Sequence, residues 1–394
     1  MINARTSSAF SNLIPVLALV VVIAIIAIPA VQAQTFSVLY NFTPYTGAWP
    51  YGTLARDSAG NLYGTTYQGG GSLVGEVFEV SPNGAETLLH SFSTTSDGYW
   101  PFSGVTLTST GIIYGTAFYG VGTGCSGQGC GMVFKLVNGE TILHNFTGGT
   151  TDGCNPYGGV TVKSGNLYGT TYSCGAFGYG VAWKINKKGV ETVVHHFAGG
   201  ANDGAYPAYG GLLADAAGNL YGTTNQGGPA NAGVVFKIDP NGNETILYSF
   251  AGGMDGADPT GSLLRDSSGN LYGVTAGGGP TNNGTVWKLD SKGHETVLHS
   301  FDSTYGSFPL AGVVRDGSGN LYGAAYYGGT FGEGVIWKLT KRGLFTVLHS
   351  FSCPTDGCYP ILGLVRDRVT GNLFGTAYYG GGGGAYGTVW SLMP

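Results

Sequence analysis

One short motif recurs seven times along this 394-residue chain: Leu-Tyr-Gly or a near variant, with its aromatic at Tyr63, Tyr114, Tyr168, Tyr221, Tyr272, Tyr322 and Phe374. Successive copies lie 51, 54, 53, 51, 50 and 52 residues apart. A period of this length marks a chain built from equivalent small units. Each is too small to bury its apolar faces alone, so the units must pack on one another.

Three more patterns recur in step with the first. Gly-x-x-aromatic-x-aliphatic has its aromatic at Phe78, Phe134, Trp183, Phe236, Trp287, Trp337 and Trp390. A segment like Thr-Val-Leu-His-Ser-Phe ends at Phe92, Phe146, Phe197, Phe250, Phe301 and Phe351, with one further copy at residues 37–42. A proline pattern starts at Pro50, Pro101, Pro156, Pro207, Pro259, Pro309 and Pro360 and runs through Gly into Leu or Val. Each segment is rich in β-branched, aromatic and aliphatic residues and is bounded by Gly, Asn, Asp or Pro, which is the signature of a strand. Turns such as 239–243 and 266–270 have hairpin length, with Gly or Asn where positive φ is needed. A unit is therefore a four-stranded antiparallel meander. Glycine, at 73 of 394 residues, argues against helices, because each interior copy costs about 1 kcal/mol. Disorder is excluded by the 42% hydrophobic and 13% aromatic content.

The chain ends decide between a ring and an open stack. After its N-terminal segment the chain starts on a spare third-pattern strand at 37–42, and it stops on a second-pattern strand at 387–392. An open stack would leave both as exposed edges, which proteins avoid. A ring pairs them. The expected fold is all-β: a seven-bladed β-propeller of four-stranded antiparallel blades, closed by the N-terminal strand pairing in the last blade.

These segments resemble the tandem GloVer (Gloeobacter/Verrucomicrobia-type) repeats of bacterial exported proteins, known for Gly-Asn-Leu-Tyr-Gly-Thr and Gly-x-Val-Trp-Lys-Leu. The match is close at 269–273 and 284–289 and extends from about Thr35 to the end of the chain. The resemblance implies a secreted or surface repeat protein, often with a C-terminal anchoring segment. This chain departs from that pattern, since it stops at Pro394, two residues past its last strand. The resemblance implies no particular reaction.

The first 33 residues read as an export signal. Arg5 gives a positive start, residues 13–30 are apolar apart from Pro15 and Pro29, and Val31-Gln32-Ala33 places cleavage before Gln34. An uncleaved anchor is the alternative. The expected division is thus a signal at 1–33 and a single repeat domain at 34–394, in a secreted, periplasmic or cell-surface protein. Export permits disulfides, and the six cysteines group locally as Cys125 with Cys130, Cys154 with Cys174 and Cys353 with Cys358. A zinc site is the rival reading of such pairs. A net charge of -5 and the absence of basic runs argue against nucleic acid as a partner.

Residues present in every unit are expected to hold the units together. His90, His144, His195, His299 and His349 share one register, with Tyr40 and Tyr248 in the remaining copies, and are assigned a repeated structural hydrogen bond. Asp97, Asp152, Asp203, Asp255 and Asp356 each precede Gly and are expected to cap their own turns, with calcium in these loops left open. Lys184 with Glu191, Lys237 with Glu244 and Lys288 with Glu295 are expected to form cross-strand ion pairs. No serine-nucleophile elbow, Walker-type or zinc-protease motif is present, and no pair of carboxylates is singled out for glycoside chemistry. No catalytic residue, resident metal or cofactor is assigned.

Loops that enter the fourth pattern or follow the first are long and share one side of the ring, while the other side carries tight hairpins. Function is expected on the long-loop face. There Trp49, Trp100, Tyr206, Phe308 and Tyr359 precede the repeat proline, and Asn155 and Asp258 break that series. Tyr67, Phe118, Tyr172, Tyr326 and Tyr378 follow the first strand, with Asn225 and Ala276 as exceptions. Such rings either pack between blades or stack on sugar rings and peptide side chains. The expected ligand contacts are Trp49, Trp100, Tyr206 and Tyr359, with Asp258 as the only out-of-register acid. The expected function is that of a monomeric, non-catalytic binding or scaffold protein for carbohydrate, peptide or a cell-surface polymer, touching membrane only through its N-terminal segment. A polysaccharide hydrolase or lyase on the same scaffold is the alternative.

Overall fold

The computed structural model describes residues 34–394 apart from 95, 208 and 383, so the expected export signal lies outside the described residues. Among the described residues no helix is long and apolar enough to cross a membrane. Their strands form the seven antiparallel meanders expected from the repeats, with two further two-stranded ribbons in the loops. In the fifth blade, for example, Ala257–Arg265, Leu271–Gly277, Thr285–Leu289 and Glu295–Ser300 lie side by side in chain order. The seventh blade is assembled from both ends of the chain. Val365–Arg366, Leu373–Ala377 and Thr388–Met393 supply its inner three strands, and Thr35–Asn41 is its outer one. Phe36 stands opposite Leu392 and Val38 opposite Trp390. The architecture is the seven-bladed β-propeller that the repeats imply.

Two motif residues explain each other within a blade. The glycine of Leu-Tyr-Gly stands directly across from the second-pattern aromatic: Gly64 opposite Phe78, Gly273 opposite Trp287, Gly375 opposite Trp390. A Cβ on Gly64 would come within 2.5 Å of the Phe78 ring. The glycine is needed because the ring lies flat across the neighbouring strand.

That ring is also the main contact between blades. Each third-pattern Phe meets the second-pattern aromatic of the following blade, as in Phe92 with Phe134 at 5.3 Å and Phe351 with Trp390 at 5.8 Å between ring centroids. At the junction that joins the ends, Phe42 meets Phe78 at 5.0 Å. All six of these side chains are fully buried, and each is worth about 1.5–3 kcal/mol relative to exposure.

Every outer strand carries a bulge at one place, for example at Leu89, where Val77 pairs with His90 but Phe78 pairs with Leu88. In a regular strand Glu86 and His90, four residues apart, would share a face. The extra residue turns the histidine to the opposite face. Each blade therefore presents the residue at its glutamate position to the preceding blade and the one at its histidine position to the following blade.

This geometry overturns the expected Lys–Glu pairs. Lys184 stands opposite Thr192, whereas Glu191 stands opposite Ile185, so the two point to opposite faces of the sheet. Lys184 lies over the Tyr168 ring instead.

Candidate functional site

The residue before each repeat proline has the same unusual backbone. Trp49, Trp100, Asn155, Tyr206, Asp258, Phe308 and Tyr359 all have positive φ, between 51° and 61°. A non-glycine residue rarely adopts this conformation without a reason. The reason is an inter-blade hydrogen bond. The N–H of Trp100 donates to the Val74 carbonyl at 3.0 Å, that of Tyr206 to Tyr179 at 2.9 Å, that of Asp258 to Ala232 at 3.0 Å, and that of Tyr359 to Glu333 at 2.8 Å. At the closing junction Trp49 donates to Tyr386 at 2.8 Å. The proline that follows then packs on a glycine of the preceding blade; a Cβ on Gly387 would lie 2.5 Å from Pro50 Cδ. The backbone at these positions is a fixed joint, and their side chains are aimed by it onto the long-loop face.

The four expected aromatic contacts do not converge on one point. They sit at separate blade junctions and are linked by intervening rings into one path. Tyr359 stacks on Tyr326 at 5.0 Å and meets Tyr379 at 6.0 Å, and Tyr379 meets Trp49 at 5.9 Å. Trp49 reaches Tyr67 at 6.1 Å, and Tyr67 contacts Trp100 at 5.1 Å and Phe102 at 4.8 Å. Phe102 stacks on Tyr157 at 5.0 Å, Tyr157 meets Tyr172 at 6.0 Å, and Tyr172 meets Tyr206 at 5.0 Å. The path runs from the sixth blade through the closing junction to the fourth. These rings pack between blades, and each keeps part of its surface open.

The path stops at the fifth blade. The positions that elsewhere hold a ring pair, such as Tyr326 stacked on Tyr359, are here Asn225 and Asp258, and Ala276 follows. Asp258 is exposed, yet surrounding protein desolvates it enough to push its carboxyl above the ordinary range. The side-chain oxygen of Asn225 is buried without a hydrogen-bond partner. A polar notch thus interrupts an aromatic rim.

Two residues of interest escaped the sequence reading. The interval from Pro207 to Leu212 is one residue longer than Pro156 to Val160 in the unit before, and Tyr209 within it holds the register of Tyr157. It has φ 59°, lines the axial cavity of about 270 Å³ and meets Tyr157 at 4.9 Å. Tyr51, Phe102, Tyr157 and Tyr209 place aromatics at the axis in blades one to four, whereas Thr260, Leu310 and Ile361 hold those positions in the others. Glu76 corrects the expectation that Asp258 is the only out-of-register acid. It replaces the Met132, Val181, Val234, Thr285, Val335 or Thr388 of the other blades. It is fully buried, neither carboxylate oxygen has a hydrogen-bond partner, and burial raises it to about 8.

All six cysteines are bridged as local grouping suggested: Cys125 to Cys130, Cys154 to Cys174, and Cys353 to Cys358.

Fold, closure and repeated joints define an all-β repeat propeller whose long-loop face carries an aromatic rim. The chain belongs to the Gloeobacter/Verrucomicrobia repeat family, whose sequence model matches residues 117–317 and 207–390. No curated protein sequence matches it. Among solved structures, a streptogramin B lyase is similar over 91% of this chain and 97% of its own, with 13% identity and a TM-score of 0.62. The extracellular domain of BT4673 from B. thetaiotaomicron, described as a one-component system, is similar over 91% of this chain and 42% of its own, with 13% identity and a TM-score of 0.58. At such identity these likenesses show the fold alone.

Proposed function

We propose that this is an exported, monomeric binding protein whose long-loop face takes a carbohydrate chain. The observation that carries the reading is the aromatic rim through Trp49, Trp100, Tyr206 and Tyr359, interrupted by the polar positions Asn225 and Asp258. Ring faces supply contact area at low conformational cost, and a few polar groups fix orientation; a sugar has an apolar face and a hydroxylated edge to match both. Three disulfides among the described residues support an oxidising, extracytoplasmic location.

A glycan array probed with residues 34–394 tests this. Retention of a defined glycan class, lost on D258N or W100A, is the expected result. Retention of peptides alone would replace the ligand class. Release of soluble oligosaccharide from a polysaccharide would replace the binding reading with the hydrolase or lyase one, and no retention at all would overturn it.

A further inference from the structure

The outer parts of the blade junctions hold a second, independent constellation. At the junction of the first two blades, His90 and Asp97 come from one blade and Glu140 from the next. His90 Nε2 lies 3.0 Å from Asp97 Oδ2, and ligand atoms of all three side chains lie within 4.8 Å of one another. The same set recurs at the next two junctions, as His144, Asp152 and Glu191 and then as His195, Asp203 and Glu244. We propose that each of these three clusters is a divalent-cation site, with one imidazole and two carboxylates as ligands.

The first argument is electrostatic. Two carboxylates and a neutral imidazole at one partly buried point carry a charge of -2, which a divalent cation neutralises.

The second argument is orientation. Oε1 of Glu140, Glu191 and Glu244 is buried with no hydrogen-bond partner, and so is Nε2 of His90 and of His144, although each imidazole stands beside an aspartate. An imidazole, an aspartate and an unpartnered glutamate oxygen within 4.8 Å of one another are placed as ligands of a common centre would be. The clusters are not sealed: His90 and Asp97 keep 15% and 13% of their side-chain surface open, which leaves an entry path and room for water as a further ligand.

The third argument is a control within the molecule. The last blade presents Phe36 at the glutamate position, and its ring stacks on His349 at 3.8 Å. No second carboxylate is present there, although His349 Nε2 and Asp356 hydrogen-bond at 2.9 Å much as His195 and Asp203 do at 3.3 Å. Phe345 stacks on His299 in the same way. At the junction of the fourth and fifth blades a tyrosine replaces the histidine, and the Tyr248 hydroxyl donates to Asp255 at 2.9 Å. The ligand set is complete only where Glu, His and Asp coincide.

The test is titration with Zn²⁺ as the probe, followed by calorimetry and by analysis of retained metal, on protein with its disulfides intact so that thiols do not compete. Three equivalents should bind, one per cluster. E140Q should lower the number by one. F36E should raise it by one, because His349 and Asp356 are already in place, and this gain does not depend on the stability of E140Q. Absence of saturable binding would overturn the proposal, as would a stoichiometry unchanged in both folded variants.

Discussion

Phe36, two residues into the described chain, lies face to face on His349 of the sixth blade, with ring centroids 3.8 Å apart and planes within 3° of parallel. The strand that carries it completes the seventh blade. The N-terminal strand therefore contributes both a sheet edge and an inter-blade wedge, and its loss should be felt around the ring.

Deleting residues 34–43 removes this strand and exposes the edge of Thr388–Met393. The melting temperature should fall sharply, with new binding of a hydrophobic dye. The milder F36A should cost about 2 kcal/mol, toward the low end for a large core truncation because Phe36 is only partly buried. An unchanged melting curve for the deletion would show that the strand does not hold the ring closed.

Glu76 makes stability depend on pH in a defined direction. The fold raises its pKa from the ordinary 4.5 to about 8, so the folded state holds the proton more tightly than the unfolded chain. Its contribution is most favourable below 4.5 and declines as pH rises toward 8. Glu76→Met, which installs the residue of the second blade, should stabilise the protein. The gain should grow from small at pH 5 to on the order of 2 kcal/mol or more at pH 8. Chemical denaturation of both proteins at the two pH values checks this, and a difference independent of pH would show that Glu76 is already compensated.

Trp49 and Trp100 should separate binding from folding. Truncation to Ala leaves the backbone joint to Tyr386 and Val74 intact. The double variant should melt a few degrees lower and bind its glycan at least about 30-fold more weakly, the loss expected when a hot-spot aromatic worth about 2 kcal/mol or more is removed. Undiminished affinity in the folded variant would move the site off the rim.

Reduction of the disulfides should cost little, because two of the closed loops span only five residues and the third spans 20. The expected loss is near the low end of the usual range of about 2–4 kcal/mol. Mass mapping under non-reducing conditions should recover the three local pairs, and free thiols in the native protein would refute the pairing.

What the sequence by itself determined is whatever lies within one unit or follows from counting units. Strand content, hairpin turns, the opposition of motif glycine and aromatic ring, local cysteine partners and the spare strand at the start are all set by short-range chemistry with a fixed period. The longer interval from Pro207 to Leu212 was equally legible, since it only needed the intervals to be counted. What tertiary structure decided lies between units. The bulge at Leu89 and its equivalents sends histidine and glutamate to opposite faces, so groups four residues apart in one strand act at two different junctions. The hairpin register sets Glu191 opposite Ile185, on the other face from Lys184, and the bulge brings the His and Asp registers, which sequence treated as separate structural repeats, together with the glutamate of the next blade. Glu76 was legible as an acid in a register that elsewhere holds Met, Val or Thr, but only the packed blade shows that no partner reaches its carboxyl.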